Sequence, residues 1–295
     1  MIFAAINART DTAGRGSKLS ASVIVVSYFT GRCLGDCLDA LAAAEGVAEI
    51  IVVDNGNDLA GERVIESVAT RIGRVKVIRG QGNVGFAAAC NLGAGQAVGE
   101  VLVFVNPDAI VNRDAITRLC DVLDNVSKPA LIGGDLRDEH GAMDRGSRRD
   151  RLTLWRAIVS VTGLSRFESV NARFRDYNRH RDPMPLAPAE VGAISGALFA
   201  VRKADFARIG GFDQGYFLHF EDVDLCRRAE NAGWTILFAP GPHGVHLRST
   251  SNVSARDIRR HKARSAARYF VKHASGAVER VLARMVGGIL LLLAR

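Results

Sequence analysis

Gly80-Gln81-Gly82-Asn83-Val84-Gly85-Phe86 is the stretch on which the fold turns. Its spacing is that of the G-x-G-x-x-G loop that seats a dinucleotide pyrophosphate on a helix N-terminus, and an apolar helix start, Phe86-Ala87-Ala88-Ala89, follows it. That fingerprint belongs to the first strand of its unit, with an acid closing the strand that follows. Here two strand–helix units come first. Ser22–Ser27 and Glu49–Asp54 are short, β-branched, apolar runs, the pattern of strands covered on both faces. Leu34, Leu38 and Leu41 between them are spaced as a helix face, and a second helix, about Glu62 to Arg71, leads to a third run, Val75–Ile78. Strand, helix, strand predicts parallel pairing with a right-handed crossover. The glycines therefore close the third strand of a doubly wound α/β layer, whose ligands bind at the carboxyl ends of the strands. Asp54 and Asn55 lie at one such end. The alternative, an NAD(P)-dependent oxidoreductase using Gly80–Gly85 with Asp108 as its ribose acid, is what this strand count argues against.

The next run, Val101–Val105, ends in Asn106-Pro107-Asp108. Proline there forces an extended turn that projects polar groups from the sheet edge, which a metal–diphosphate site needs and a ribose-binding acid does not. Asn112–Asp124 carries Ile116, Leu119 and Leu123 on one helix face, Ala130–Gly134 reads as a strand, and Asp138–Met143 as a turn within a hairpin. Residues 145–188 are Arg-rich and weakly patterned, closed by Pro183, Pro185 and Pro188, and are expected to form a mobile or acceptor-contacting insertion. Val191–Val201 resumes as one buried strand and Lys203–Ile209 as a short helix. Thr235–Phe238 is a strand, and Gly244–Ser249 a loop or last strand.

Between these lies Gly215-Tyr216-Phe217-Leu218-His219-Phe220-Glu221-Asp222-Val223-Asp224, followed by a helical pattern (Leu225, Ala229, Ala232) that ends at Gly233. A helix N-terminus stabilises negative charge, so one acid there needs no explanation beyond capping. Three acids are different. Capping uses one oxygen, and crowding carboxylates beside Phe217, Leu218 and Phe220 raises at least one pKa, as a general base requires. His246 alone would be a structural histidine; with a cation expected at Asp108 it becomes a second ligand.

At 295 residues and 48% hydrophobic content the chain can bury one large core, alone or with a small appendage, which excludes disorder for most of it. No charged and apolar leader reads as a secretion signal. Five scattered cysteines fit reduced thiols in a cytosolic protein; Cys33 and Cys37 share a helix face but lack a metal-binding partner nearby in sequence. From Arg256 to Arg295 there are ten Lys/Arg and two acids, a net of +8 that equals the whole-chain charge. Arg256, Arg260, Arg264, Arg268 and Lys272 recur every four residues, and Gly287–Ala294 is apolar but shorter than the ~20 residues a bilayer span takes. The tail therefore predicts a peripheral contact with an anionic membrane surface through 256–295, packing against a second copy, or a solvated helix with a short apolar segment docked on the core. Nucleic acid is excluded as a partner, because aromatic residues are 6% of the chain and no binding motif accompanies the charge.

Taken in order, Val23–Tyr28, Val52–Asn55, Gly82–Phe86 with Asn91, Asn106–Asp108, Gly210–Asp213, Phe220–Asp224, and His246 with Ser249 resemble a family 2 glycosyltransferase of the GT-A fold. More narrowly they resemble its bacterial rhamnosyltransferase-type branch. The resemblance runs from about Ser22 to Ser251. It implies an α/β GT-A domain over 19–251, a flexible leader over 1–18 and a basic amphipathic tail over 252–295. By the same resemblance Asp54 accepts hydrogen bonds from the donor base, Ser27 and Tyr28 border the nucleotide, and Asn83 and Asn106 help hold the donor. Asn106-Pro107-Asp108 stands where the family has Asp-x-Asp, so Asp108 is the main carboxylate ligand of Mg²⁺ or Mn²⁺ and His246 completes the site. Asp222 is the general base, with Glu221 the other candidate, and Ser195, Gly196 and Trp234 border the acceptor. The implied reaction is inverting transfer from a dTDP-, UDP- or GDP-linked sugar, dTDP-L-rhamnose first, to a lipid-linked or glycan acceptor. It would take place in the cytoplasm, on the inner face of the membrane. The processive Gln-x-x-Arg-Trp element is not found, so one sugar is expected per encounter. A catalytically silent membrane-peripheral binding protein is the second alternative.

Overall fold

The computed structural model describes residues 19–247 and 254–294. The expected leader, Ser249 and the 251/252 boundary lie outside the described residues. In chain order the elements are β1 (Ala21–Ser27), α1 (Cys33–Ala43), β2 (Val47–Asp54), α2 (Leu59–Arg71), β3 (Val75–Ile78), α3 (Phe86–Gln96), β4 (Val101–Val105), β5 (Ala109–Val111), α4 (Ala115–Asp124) and β6 (Ala130–Arg137). There follow β7 (Arg148–Arg149), α5 (Leu154–Thr162), two 3₁₀ turns, β8 (Ala189–Glu190), β9 (Ala193–Ile194), β10 (Leu198–Arg202), α6 (Lys203–Arg208), α7 (Glu221–Asn231) and β11 (Thr235–His246). Helices α8 (Ala255–Lys272) and α9 (Ala277–Leu293) close the described chain.

The main sheet runs β3-β2-β1-β4-β10-β6-β11-β5, with β8 added beside β11. Strands β3, β2, β1 and β4 are parallel, as the strand–helix alternation predicts. Strand β10 runs antiparallel between β4 and β6, β11 runs parallel to β6, and β5 pairs antiparallel with the end of β11. The apolar runs are covered on both faces. Leu34, Leu38, Ile65 and Leu119 pack on one side, Ala87, Cys90, Phe206 and Leu225 on the other. One consequence of this order is that β1, β2, β4, β6 and β11 all end, and β10 begins, at the same sheet edge.

The expected continuous strand Val191–Val201 is broken. Ala193 and Ile194 pair with Arg149 and Arg148 in a separate two-stranded ribbon, Ser195-Gly196 turns, and only Leu198–Arg202 enters the main sheet. The Arg-rich insertion is folded, ordered by guanidinium groups as well as by apolar residues such as Leu154 and Tyr177. Arg148 donates to the carbonyls of Arg179, Asp182 and Pro183, while Arg179 pairs with Glu168 and Asp182. Periodicity cannot reveal such a segment.

The basic tail forms two helices that share a third core with the insertion and with the acidic stretch: Tyr269, Phe270 and Ala283 pack with Leu154, Tyr216 and Val223. No described helix is long and apolar enough to cross a membrane.

Candidate active site

One end of the site is built from the carboxyl ends of β1 and β2. The Asp54 carboxylate is buried, and its Oδ1 accepts the backbone N–H groups of Gly56 and Asn57 at 3.2 and 3.0 Å and the Asn57 amide at 2.8 Å. Ser27 Oγ donates to Asn57 Oδ1 at 3.1 Å, and Asn57 also ties down the Phe29 N–H at 2.7 Å beside Tyr28. Asn55 reaches the glycine loop, donating to Asn83 Oδ1 at 3.0 Å and accepting from Val84 N–H at 3.1 Å. Gly85 ends that loop with φ +84°, and a side chain there would meet Phe217 at 2.8 Å. Phe86 N–H donates to the Phe217 carbonyl at 2.8 Å, so the loop leans on the acidic stretch. Asn91 completes that join by exchanging hydrogen bonds with Phe212. Asn57, which sequence reasoning missed, joins Ser27 to Asp54, and Asn55 joins this end to Asn83. The only sequence signal of Asn57 is its place just after Asp54-Asn55-Gly56.

One strand over, the turn after β4 meets the end of β11. Asp108 Oδ1 lies 3.1 Å from His246 Nε2, with Asn106 Nδ2 3.5 Å from the same nitrogen. The other ring nitrogen, Nδ1, is 2.5 Å from Asp144 Oδ2, a buried carboxylate just past β6 that no motif contains. Burial alone would push the His246 pKa down; hydrogen bonds to Asp108 and Asp144 outweigh it and raise it to about 9. With Nδ1–H committed to Asp144, the Nε2 edge faces Asp108, as in the carboxylate–histidine pairs that orient metal-ligating imidazoles, and a cation bound there would take the place of the Nε2 proton. Among the described residues no three His, Cys, Asp or Glu groups converge to hold an ion by themselves. One carboxylate and one imidazole fit a cation whose remaining positions come from diphosphate oxygens and water.

The acidic stretch closes the site. His219 and Phe220 both adopt positive φ, 66° and 70°, and Phe220 is the residue before α7; its own side chain does not cap the helix. Capping accounts for part of one acid, since Asp222 Oδ1 accepts the Val223 N–H at the helix start, and not for all three. They point three ways. Glu221 is buried, its Oε2 without a partner, and burial followed by the neighbouring Asp222 charge raises its pKa to about 8. Asp224 is fully buried and faces the tail, taking hydrogen bonds from Arg228, Lys272 and His273. Asp222 faces the site: its Oδ2 accepts from Gly196 N–H at 3.0 Å and from Arg149 Nη2 at 2.6 Å, and its Oδ1 from Val223 N–H at 2.7 Å. Burial would raise its pKa, but Arg149 and the N–H donors hold it below the usual carboxylate range, so the raised pKa that the sequence leads one to expect of the base falls on Glu221 and not on Asp222.

Gly196 thus touches Asp222, and Ser195 Oγ accepts from Ala197 N–H within the same turn. Asn106 N–H donates to the Ala197 carbonyl at 2.9 Å, which sets this turn beside the Asn106–Asp108 turn. Trp234 is not part of the cluster. It stands before β11 begins, at the opposite sheet edge and the far end of α7 from Asp222, packed on the core with Arg208 over its ring.

A doubly wound sheet whose carboxyl edge carries an Asn-Pro-Asp turn, a histidine and a buried acid at a helix start defines a glycosyltransferase of the GT-A fold. The chain belongs to the family described as "Glycosyltransferase like family 2", whose profile matches residues 20–274 and so takes in α8. It is 29% identical over 243 residues to N-acetylglucosaminyl-diphospho-decaprenol L-rhamnosyltransferase of Mycobacterium tuberculosis, covering 78% of this chain and 76% of that one. It is 26% identical over 240 residues to rhamnosyltransferase WbbL of Escherichia coli K12, covering 79% and 85%. Among solved structures it resembles GalNAc-T7 with UDP, GalNAc and Mn²⁺ (TM-score 0.63, 16% identity), covering 92% of this chain and 55% of that one. It also resembles mannosyltransferase PcManGT from Pyrobaculum calidifontis with GDP-Man and Mn²⁺ (TM-score 0.58, 15% identity), covering 94% and 73%. At such identities the structural likeness speaks to the fold.

Proposed function

We propose that the protein transfers one sugar, with inversion, from a nucleoside-diphosphate donor to a lipid-linked diphosphate or related glycan acceptor, with dTDP-L-rhamnose the first donor to test. The observation that carries this reading is the convergence on one sheet edge of Asp54, the Asp108–His246 pair and Asp222. Asp54 holds its own turn through Oδ1, so the donor base meets Oδ2, with Ser27 and Tyr28 along the nucleotide and Asn83 and Asn106 on the donor. Asp108 and His246 would hold Mg²⁺ or Mn²⁺ against the diphosphate, and Asp144 keeps the imidazole turned toward it. When bound, the cation neutralises charge on the departing diphosphate. Asp222 takes the acceptor proton as the acceptor oxygen forms its bond to the anomeric carbon. The bond from that carbon to the diphosphate breaks, and its electron pair leaves with the nucleotide. Glu221 does not share this role: it is protonated near neutral pH and faces the core beside Cys90.

The names of the two bacterial relatives support rhamnose as the sugar, and that of the mycobacterial one a diphospho-lipid acceptor. Helix α9 exposes Val281, Met285, Ile289 and Leu292 along one side, with Arg280 and Arg284 on the same helix, which suits a cytoplasmic, peripheral seat on anionic lipid. A twofold copy packed through that face would oppose like charges. The test is transfer from dTDP-L-rhamnose, UDP-GlcNAc and GDP-mannose to an N-acetylglucosaminyl-diphospho-lipid. Asp222→Asn is expected to lower kcat by about 10²–10⁴-fold while donor binding persists. A fully active Asp222→Asn would remove Asp222 from the chemistry.

A further inference from the structure

We propose that Arg149 is the positioning residue of the base: it clamps the Asp222 carboxylate in its ionised form and in one orientation, leaving Oδ1 as the oxygen that receives the acceptor proton. This rests on Asp222 being the general base.

The clamp is assembled from three parts of the chain. Arg149 lies on β7, its backbone paired with Ala193 of β9, and its Nη2 donates both to the Ile194 carbonyl and to Asp222 Oδ2. Gly196 N–H, from the turn after β9, takes the other acceptor position of Oδ2. Each carboxylate oxygen offers about two such positions. Oδ2 is thereby filled, whereas Oδ1 carries only the Val223 N–H and keeps one position for an acceptor hydroxyl. The guanidinium is itself enclosed, its side chain 11% exposed with the Tyr177 ring 5.8 Å away. Buried arginines facing a carboxylate hold geometry well, because the planar fork has few ways to satisfy its donors.

Chemistry requires such a clamp because Asp222 follows another buried carboxyl. Two adjacent acids in an apolar pocket cannot both ionise cheaply, and a cation in contact decides which one does. The groups facing Asp222 are Arg149 and Tyr177 from the insertion, Glu221 and Cys226 from α7, and His219 from the preceding loop. Burial pushes the His219 pKa down, the Tyr177 hydroxyl up, and the Cys226 thiol up to about 12, so Arg149 is the fixed charge in the set. It touches Asp222 and not Glu221, and the two carboxyls part accordingly. In the reaction the acceptor O–H proton moves to Oδ1 as the new C–O bond forms and the nucleotide departs with the old bond's electron pair. The neutral carboxyl then returns the proton to water, with Arg149 still in place.

The test is the pH profile of kcat, read as nucleoside diphosphate release from whichever of the three donors above the wild type turns over. Arg149→Gln is expected to move the acidic limb up by about one pH unit or more. Along the wild-type acidic limb its rate should fall about tenfold, and it should recover toward wild type two or more pH units above that limb, with donor KM unchanged. Arg149→Lys is expected to restore the limb part of the way. A folded Arg149→Gln whose limb stays put, or whose rate is lost equally at every pH, overturns the proposal. Should the glutamine variant not fold, Arg149→Lys decides, since kcat and limb both identical to wild type would also overturn it. Asp222→Asn separates the two claims. If it is fully active, the base assignment falls; if it is inactive while the Arg149 limb is unmoved, only the clamp falls.

Discussion

Asp144 lies far in sequence from both Asp108 and His246, yet it sets which edge of the imidazole faces Asp108. Asp144→Ala is expected to weaken Mn²⁺ affinity about 10–100-fold, measured by titrating Mn²⁺ into the protein with a nucleoside diphosphate present, and to leave metal-free nucleotide binding unchanged. Glu221 offers a pH test of the other half of the site. Its pKa is raised from 4.5 to about 8, so between those values the folded chain holds a proton that the unfolded chain releases. Stability from this group is therefore full below about 4.5 and is lost as pH rises through 8. Glu221→Gln is expected to melt higher than wild type at pH 8, by roughly 2–4 °C, and to lose that advantage at pH 5. An advantage independent of pH would contradict a buried, protonated Glu221. The places of Asp108 and Asp222 were legible, one after a recognisable strand and one at a helix start, whereas His246 ends a single strand from Thr235 that the sequence divides into a short strand and a loop or last strand. Asn57, Asp144 and Arg149 were not legible, since each acts across more than 25 residues of sequence through contacts that leave no local spacing.

At the scale of elements the telling one is α8. One face of it meets the segment that delivers Asp222: His261 stacks on Phe217, Ser265 Oγ donates to the Leu218 carbonyl, and Arg268 and Lys272 pair with Asp213. Lys272 and His273 reach Asp224, two residues past the proposed base. Asp224→Ala is expected to destabilise the fold by about 3–5 kcal/mol, because it strands buried cations, and a denaturant melt reads this directly. A change under about 1 kcal/mol would mean that the cations around Asp224 contribute little to holding α8. From the sequence the four-residue recurrence of Arg and Lys read as a solvated or lipid-facing stripe. Two of its members, Arg268 and Lys272, instead spend their charge on carboxylates of the sheet domain, which a helical period cannot reveal because it marks a face and not what the face meets. The parallel strand units were legible for the opposite reason: their cores are local, apolar and periodic. The break at Ser195-Gly196 was hidden within an unbroken apolar run, since residues on both sides of it are buried, in two different sheets.

Over the whole molecule, positive charge and exposed apolar side chains coincide on the tail helices, while Asp54, Asp108, His246 and Asp222 gather at one edge of the sheet. The chain is expected to float with vesicles of anionic lipid and not with phosphatidylcholine, and binding should weaken steeply between about 50 and 300 mM salt, where screening shortens the reach of each charge. Salt-independent self-association without vesicle binding would favour a second copy as the occupant of α9. The central claim is narrower and reaches the site directly: a nucleoside diphosphate and a divalent cation bind together at Asp108 and His246. It is tested by thermal melts of the wild type and of Asp108→Ala with dTDP, UDP, GDP and NAD(H), each with and without Mn²⁺. A ligand that binds only the folded chain raises the midpoint by mass action. One nucleoside diphosphate is expected to stabilise the wild type in a Mn²⁺-dependent way, and the metal-dependent part to vanish in Asp108→Ala. Stabilisation by NAD(H) without metal, unaltered in Asp108→Ala, would contradict it and return the Gly80–Gly85 loop to a dinucleotide.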